Sequence, residues 1–541
     1  MTGRRFRTFP ERFNMADYFL YDRIDEGMGG RIALRTEKEE LTYDDVVAAS
    51  NKIGNALRHM NLRPEDRVLI GLNDTPEFVA TIFGTLRLGG VVAMVNPLLT
   101  AEELRYYLEY TRARFFVCTP EVAQKVEPFA LEVGTLEGVF VVGDEVVTGG
   151  LFHSYLQATM EESKRLEPYP THRDDPAYWL FTSGTTGRPK ANIHQHGDFP
   201  WNCERYAKAT VGYTGDDVTL SVPKLFFGYA TGSNLFFPFA VGATSCLFPE
   251  RATPEVVFQK VEQFAPTLLV SVPTMILAMV QHPRRNMYNL GGLRAVFSAG
   301  EALPAELHRQ WKQAFRVDVL DGIGSAELFH IYITNRPGDV TPGSLGELVA
   351  GYEARIVGPD GEDVPRGETG TLLVRGESAA SGYFEAAEKT RETFLGDNWV
   401  RSADLFRRDA EGRFWYGGRT DDILKVGGIF VSPIEVEDCL LAHPAVAECA
   451  VIPYTESGLE KPMAVVVPRG GYVGGEALAH EIANHVKASI APYKFPRRVR
   501  FVRALPKNDR GKVERKRLRE ELAAAGLEGS HDTDPQAGPP G

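Results

Sequence analysis

Cysteine is scarce: Cys118, Cys203, Cys246, Cys439 and Cys449 are the only five in 541 residues, an odd set without paired spacing. That excludes a disulfide framework or a cysteine zinc site and points to buried thiols in a reducing cytosol. Apolar runs long enough to span a membrane are missing. Residues 1–9 are basic but lack the apolar stretch of a secretory signal, so a cytoplasmic protein without a membrane partner is expected. An excess of positive charge is missing too. Sixty Lys and Arg stand against 72 Asp and Glu, a net charge of −12, which favours solubility and argues against nucleic acid as the main partner. What is present, 43% apolar and 24% charged residues, is the mixture of an ordinary globular protein. A chain of 541 residues exceeds what one core organises, so two or more folding units are expected.

Residues 1–30 read as an irregular lead-in, with Phe13 and Tyr18 to Leu20 as packing anchors. A strand is expected at 31–35, then a helix opened by Thr42, whose spacing to Asp45 resembles a capping box. Val46, Ala49, Ile53, Ala56 and Leu57 continue that helix at helical spacing. Strands at 67–71, 91–95, 113–119 and 137–142 and a helix at 76–88 follow, and strand-then-helix patterns recur at 268–274 and 294–304. Such alternation predicts parallel sheets covered on both faces. The Gly- and Pro-rich stretch 343–375 reads as a small barrel-like sheet. The fold class is therefore α/β: a large N-terminal domain, residues 1–420, of two αβ-layered sheets plus the barrel-like sheet, and a small α+β C-terminal domain, residues 421–528. In the latter, strands are expected near 424–431, 446–452 and 462–467, with helices at 433–442 and 475–489. Residues 529–541, rich in Gly, Pro and Asp, read as a disordered tail.

The most informative stretch is Tyr178 to Lys190. An aromatic run that reads as a buried strand ends in Thr182, Ser183, Gly184, Thr185, Thr186 and Gly187, followed by Arg188, Pro189 and Lys190. Hydroxyls and unobstructed backbone N–H groups can wrap several phosphate oxygens, because glycine lets the backbone approach closely. Arg188 and Lys190 would neutralise the charge so gathered. A Walker loop is excluded, since Gly184 and Gly187 are only three apart. The alternative is a polar hairpin turn.

This run resembles the phosphate loop of the adenylate-forming superfamily, which includes acyl-CoA synthetases, firefly luciferase and peptide-synthetase adenylation domains. Further motifs support the resemblance, in the family's order, from about residue 30 to about residue 520. It implies ATP, Mg²⁺ and coenzyme A as cofactors or co-substrates. It also implies that Ser298, Ala299, Gly300 and Glu301 form the adenine-side loop. Asp321, Gly322, Ile323, Gly324 and Ser325 would pass close to the nucleotide, and Glu327, with Thr186, would hold Mg²⁺ on the phosphates. Asp404 would accept both ribose hydroxyls, and Arg419 would reach the ribose or α-phosphate. Asp421 matches the hinge about which the small domain rotates; a helix cap is compatible with the same position. Lys425, Gly427 and Gly428 resemble the thioester-forming face, and Lys512 matches the adenylation lysine. The basic run around it, 494–519, reads as a solvated face that can also attract the phosphates of CoA.

Leu225 to Tyr229 sets aromatic rings against glycine, which suits either core packing or a planar ligand. The run Lys224 to Tyr229, followed by Phe237 to Thr244, resembles benzoate-CoA ligases in particular. That resemblance implies an acid pocket lined by Phe227, Gly228, Tyr229, Gly324, His330 and Ile331. Phe227 stands where the superfamily often has His, and Gly228 where this branch usually has Ala, which leaves slightly more room. His330 is read either as a donor to a ring hydroxyl or as a hydrogen-bonded core histidine. His194 and His196, two apart on a strand, share a face; without a third ligand nearby the structural reading is preferred to a metal.

The expected activity is ligation of an aromatic acid of the benzoate or hydroxybenzoate type to CoA through an acyl-adenylate. Alternatives are another small or heteroaromatic acid, loading of a carrier protein, or a catalytically dead relative. The expected partners are the acid, ATP and CoA, and the sequence does not separate a monomer from a homodimer.

Overall fold

The computed structural model describes residues 9–143, 149–183, 188–419, 424–426, 429–431, 433–456, 459–490, 494–507, 513–525 and 530–532. Two large sheets carry most of the chain. A seven-stranded sheet is parallel in the order Phe152–Ser154, Gly138–Val141, Phe115–Cys118, Arg67–Gly71, Val91–Met94 and Pro176–Ser183, and Pro189–Gln195 closes it antiparallel. Its central strands are apolar at nearly every position and buried on both faces, as parallel strands covered by helices must be. A nine-stranded sheet has a parallel centre: Val319–Gly324, Ala295–Ser298, Leu268–Ser271, Val218–Ser221, Thr244–Cys246 and Ile32–Arg35. Antiparallel strands Ile331–Thr334 with Glu347–Leu348, and Glu40–Thr42, flank it. One core joins the sheets, with Phe83, Phe236, Phe239, Phe199 and Tyr178 at its centre.

The helix Tyr43–His59 starts as its sequence requires. Asp45 N–H donates to Thr42 Oγ1 at 3.2 Å and Thr42 N–H donates to Asp45 Oδ2 at 3.0 Å, the reciprocal capping box. The lead-in is more ordered than expected. Asp17–Tyr21 and Asp22–Asp25 are helical turns, because Phe19 and Leu20 are drawn into the core, Phe19 against the Phe236 ring at 4.6 Å. Strand Val319–Gly324 carries the Asp321 to Gly324 stretch, since Gly322 to Gly324 pair with Ile331 to Thr334. The small sheet begins within 343–375 and extends beyond it, to residue 419. It comprises Glu353–Val357, Thr369–Arg375, Trp399–Arg408, Phe394–Gly396 and Phe414–Arg419, while Glu347–Leu348 join the large sheet instead.

C-terminal to it, Val446–Glu456, Leu459–Pro468, Arg498–Phe501 and Ser530–Asp532 form a sheet. Helices Pro433–Leu441 and Glu476–Ser489 pack with one set of its apolar residues, and Leu518 of helix Arg515–Ala525 packs with another. The strand at 530–532 lies within the stretch read as tail. It pairs antiparallel with 498–500 and covers an edge that would otherwise expose unpaired backbone groups. No helix of the described residues is long and apolar enough to cross a membrane.

Candidate active site

Carboxyl ends of parallel strands from both sheets, at Met94 to Asn96, Ala299 to Gly300 and Gly324, meet in one region, the kind of place where ligands of open α/β sheets bind. A cavity of about 330 Å³ lies there. Asn96, Tyr107, Trp179 and Phe181 line it from the seven-stranded sheet and its helices; Ala299, Gly300 and Gly324 to Ala326 line it from the nine-stranded one. All six residues expected in the acid pocket, Phe227, Gly228, Tyr229, Gly324, His330 and Ile331, line this cavity. The 224–229 segment is held by a residue that no motif singles out. Asp74, 2% exposed, accepts the Leu225 N–H at 2.8 Å, and burial raises its carboxyl pKa to about 6. Gly324 is required by proximity: a Cβ there would lie 2.4 Å from the His330 carbonyl oxygen.

His330 is committed in a way its sequence position does not reveal. Its Nε2 lies 3.0 Å from the Tyr229 carbonyl and 3.1 Å from Ser233 Oγ. A carbonyl only accepts, so Nε2 carries the hydrogen and Nδ1 is left as an acceptor, which rules out a neutral His330 donating to a ring hydroxyl. Burial holds the imidazole neutral, its pKa pushed down to about 3.

Glu327 sits on the turn between strands Val319–Gly324 and Ile331–Thr334, half-buried. Tyr383 O–H donates to its Oε1 at 2.8 Å, and Lys190 Nζ lies 5.8 Å from the Tyr383 ring centre. The flanks of the Thr/Gly loop are the paired ends of a hairpin, Thr182 opposite Lys190 and Ser183 opposite Pro189. The strands that flank the loop are therefore paired as in a hairpin, which is compatible with either reading of the loop. Gly184, Thr185, Thr186 and Gly187 lie outside the described residues.

A second cavity of about 370 Å³ lies between the large unit and the C-terminal unit. Gly300, Glu301, Gly322 to Gly324 and Asp404 line one wall, and Glu437, Asp438, Glu448, Lys507, Val513 and Arg515 line the other. Tyr416 O–H donates to Asp404 Oδ1 at 3.1 Å, orienting the carboxylate. Glu301 also supports the fold, since its Oε2 accepts from Thr274 Oγ1 at 2.7 Å and Thr274 N at 3.2 Å, capping helix Pro273–Gln281. Ser298 and Asp321 lie opposite one another on neighbouring strands, 1% and 5% exposed. Burial raises the Asp321 carboxyl well above the usual range, opposed by the Ser298 hydroxyl and the Gly322 N–H. Lys507 and Val513 form a β-bridge. The residue expected to do the adenylation chemistry, Lys512, lies outside the described residues, as do Asp421, Gly427 and Gly428. The Arg419 and Lys425 side chains are likewise outside them.

Both strand histidines are engaged in hydrogen bonds with neighbouring protein groups. His194 bonds the Ala326 carbonyl and Asp198, and His196 Nδ1 accepts the Met15 N–H at 3.1 Å. No group of three metal-ligating side chains occurs among the described residues. Burial lowers the His196 pKa from 6.5 to about 3, so this residue stabilises the fold above pH 6.5 and loses that contribution as pH falls toward 3. His196→Gln should remove one proton's worth of that dependence. The wild-type-minus-variant stability should fall by about 1.4 kcal/mol per pH unit across the window, measured by urea unfolding at several pH values; a pH-independent difference refutes it.

A family model described as "AMP-binding enzyme" matches residues 22–384, and one described as "AMP-binding enzyme C-terminal domain" matches 435–512. The chain belongs to the AMP-binding enzyme family. Members of this family similar to it include benzoate–CoA ligase of Thauera aromatica, 41% identical over 94% of this chain and 96% of that protein. The 4-hydroxybenzoate–CoA/benzoate–CoA ligase of Rhodopseudomonas palustris is 40% identical over 95% of each. Among solved structures of family members, the anthranilate CoA ligase AuaEII in complex with anthranoyl-AMP superposes with a TM-score of 0.91 at 38% identity, covering 96% of this chain and 99% of that one.

Proposed function

We propose that the protein is an AMP-forming aromatic acid–CoA ligase. The single observation that carries this reading is the 330 Å³ cavity, walled by rings and glycines, whose lining includes Ala326 and Phe181, the chain neighbours of Glu327 and Thr182. A carboxylate is a poor electrophile, so its activation is divided into two easier steps. The acid's oxygen attacks the α-phosphorus of ATP and pyrophosphate leaves; the CoA thiolate then attacks the acyl carbon and AMP leaves. The loop 183–190 would hold the departing phosphates, and Asp404 the ribose. Lys512 would bridge carboxylate and phosphate, and its reach is supported by Lys507 and Val513, which flank its loop and line the cavity that Asp404 also lines. The Glu327 carboxylate, a hard ligand already oriented by Tyr383, fits Mg²⁺, with Thr186 as a second ligand. When bound, the ion would offset charge on the phosphates. For the second step the C-terminal unit would turn about Asp421 and present Gly427 and Gly428, with a cytoplasmic location implied by its substrates.

The reading is tested by following acid-dependent AMP release over benzoate, hydroxybenzoates, aminobenzoates and furoate, with and without CoA. CoA-dependent thioester formation with at least one of them is expected, and none with any would reject it. Gly228 bears on which acid is preferred. A Cβ at this position would meet both Leu180 methyls at 3.1 Å, and Leu180 is itself a cavity wall. Gly228→Ala should therefore lower kcat/KM for ring-substituted benzoates relative to benzoate by about 10-fold, the usual worth of one methylene in a pocket. An unchanged ratio would separate Gly228 from ring selection.

A further inference from the structure

The turn that joins Glu327 to His330 is strained and held from every side. Phe329, 3% exposed, has φ +71° and ψ −60°, and the His330 N–H donates to the Leu328 carbonyl at 2.9 Å. This is a γ-turn of the rare hand at a bulky residue, a conformation that persists only where surrounding contacts over-determine it. Those contacts are present. The Phe329 ring stacks on Phe199 at 3.4 Å, Ser378 Oγ donates to the Leu328 carbonyl at 2.9 Å, and the Ala380 N–H donates to the Glu327 carbonyl at 2.9 Å.

A further contact comes from the seven-stranded sheet. His194 Nε2–H donates to the Ala326 carbonyl at 2.7 Å, and its Nδ1 lies 3.2 Å from Asp198 Oδ2. Both side chains are fully buried. Asp198 Oδ2 is fixed in turn by the Gln195 N–H at 2.9 Å. His194 belongs to Pro189–Gln195, the strand that leaves the Thr/Gly hairpin, whereas Ala326 precedes Glu327. One side chain therefore links the strand that follows the phosphate loop to the turn that carries the carboxylate.

We propose that His194, oriented by Asp198, is a positioning residue that sets the Glu327 turn relative to the Thr/Gly hairpin for adenylation. The inference rests on the ligase reading above. It predicts selectivity between the half-reactions. Acyl-adenylate formation needs the loop and Glu327 in register, whereas thioester formation from ready-made acyl-adenylate needs neither.

The experiment compares wild type, His194→Leu and His194→Gln in both half-reactions, using benzoate, ATP and pyrophosphate for the first and synthetic benzoyl-AMP with CoA for the second. His194→Leu should lower the adenylation kcat by about 10–100-fold, the scale of an ångström's misplacement. Thioester formation should stay within about 3-fold, below that scale. The Gln amide, able to donate to the Ala326 carbonyl, should restore much of the loss. Equal losses in both half-reactions, or no loss in either, would overturn the proposal. Should His194→Leu fail to fold, Asp198→Asn and Ser378→Ala carry the same comparison, with the same selective loss expected. Wild type inactive in both half-reactions with the whole acid panel would instead reject the ligase reading.

Discussion

Lys512→Ala should abolish acid-dependent ATP–pyrophosphate exchange while leaving thioester formation from ready-made benzoyl-AMP largely intact. Adenylation brings two anions together, the acid carboxylate and the α-phosphate, and Lys512 is the cation assigned to bridge them. Preorganised charge of this kind is often the largest single term in catalysis, and losing one such donor costs about 3 kcal/mol or more, a 10²–10³-fold drop in kcat. The second step gains nothing from this lysine, because the leaving group is then AMP and the nucleophile a thiolate. Measuring each half-reaction separately in the variant is decisive. Near-normal exchange would remove Lys512 from the mechanism.

Glu327→Gln should produce the next largest loss. The amide keeps the shape of the side chain, and its oxygen can still accept from Tyr383, so the turn should hold. What disappears is the charge offered to a cation on the phosphates. The adenylation kcat should fall by about 10²-fold, the lower end of what one electrostatic contact contributes. Affinity for ATP in the presence of Mg²⁺, read by calorimetry, should weaken, while affinity measured in EDTA should not change. Equal weakening under both conditions would mean that Glu327 shapes the site without handling the ion.

Local signals are legible in the sequence, and contacts between distant segments are not. The capping box at Thr42 and Asp45 spans three residues, so both partners are visible in one glance at the chain. The pocket residues 227–229 and 330–331 stand in runs that resemble a known family, and they line one cavity. By contrast, His194 meets Ala326 across 132 positions, Asp74 meets Leu225 across 151, and Tyr383 meets Glu327 across 56. No periodicity or spacing encodes such pairs, because they exist only after two sheets have packed. The strain at Phe329 is equally invisible, since its positive φ is imposed by the Phe199 stack and the bonds around it. The two readings of His330 separate for the same reason: its Nε2 hydrogen is assigned by a carbonyl that folding alone delivers. The strand at 530–532 hides in a stretch whose composition suits a tail, and only the edge of 498–501 gives it a partner.

The central claim is that this chain makes an enzyme-bound acyl-adenylate before any thiol takes part. A single-turnover mixture of enzyme, ATP, Mg²⁺ and benzoate or an aminobenzoate, quenched and analysed by mass spectrometry, tests it most directly. Acyl-AMP should accumulate without CoA and be converted to acyl-CoA and AMP when CoA is added. Thioester produced with ADP and phosphate, and no acyl-AMP at any time, would contradict the account.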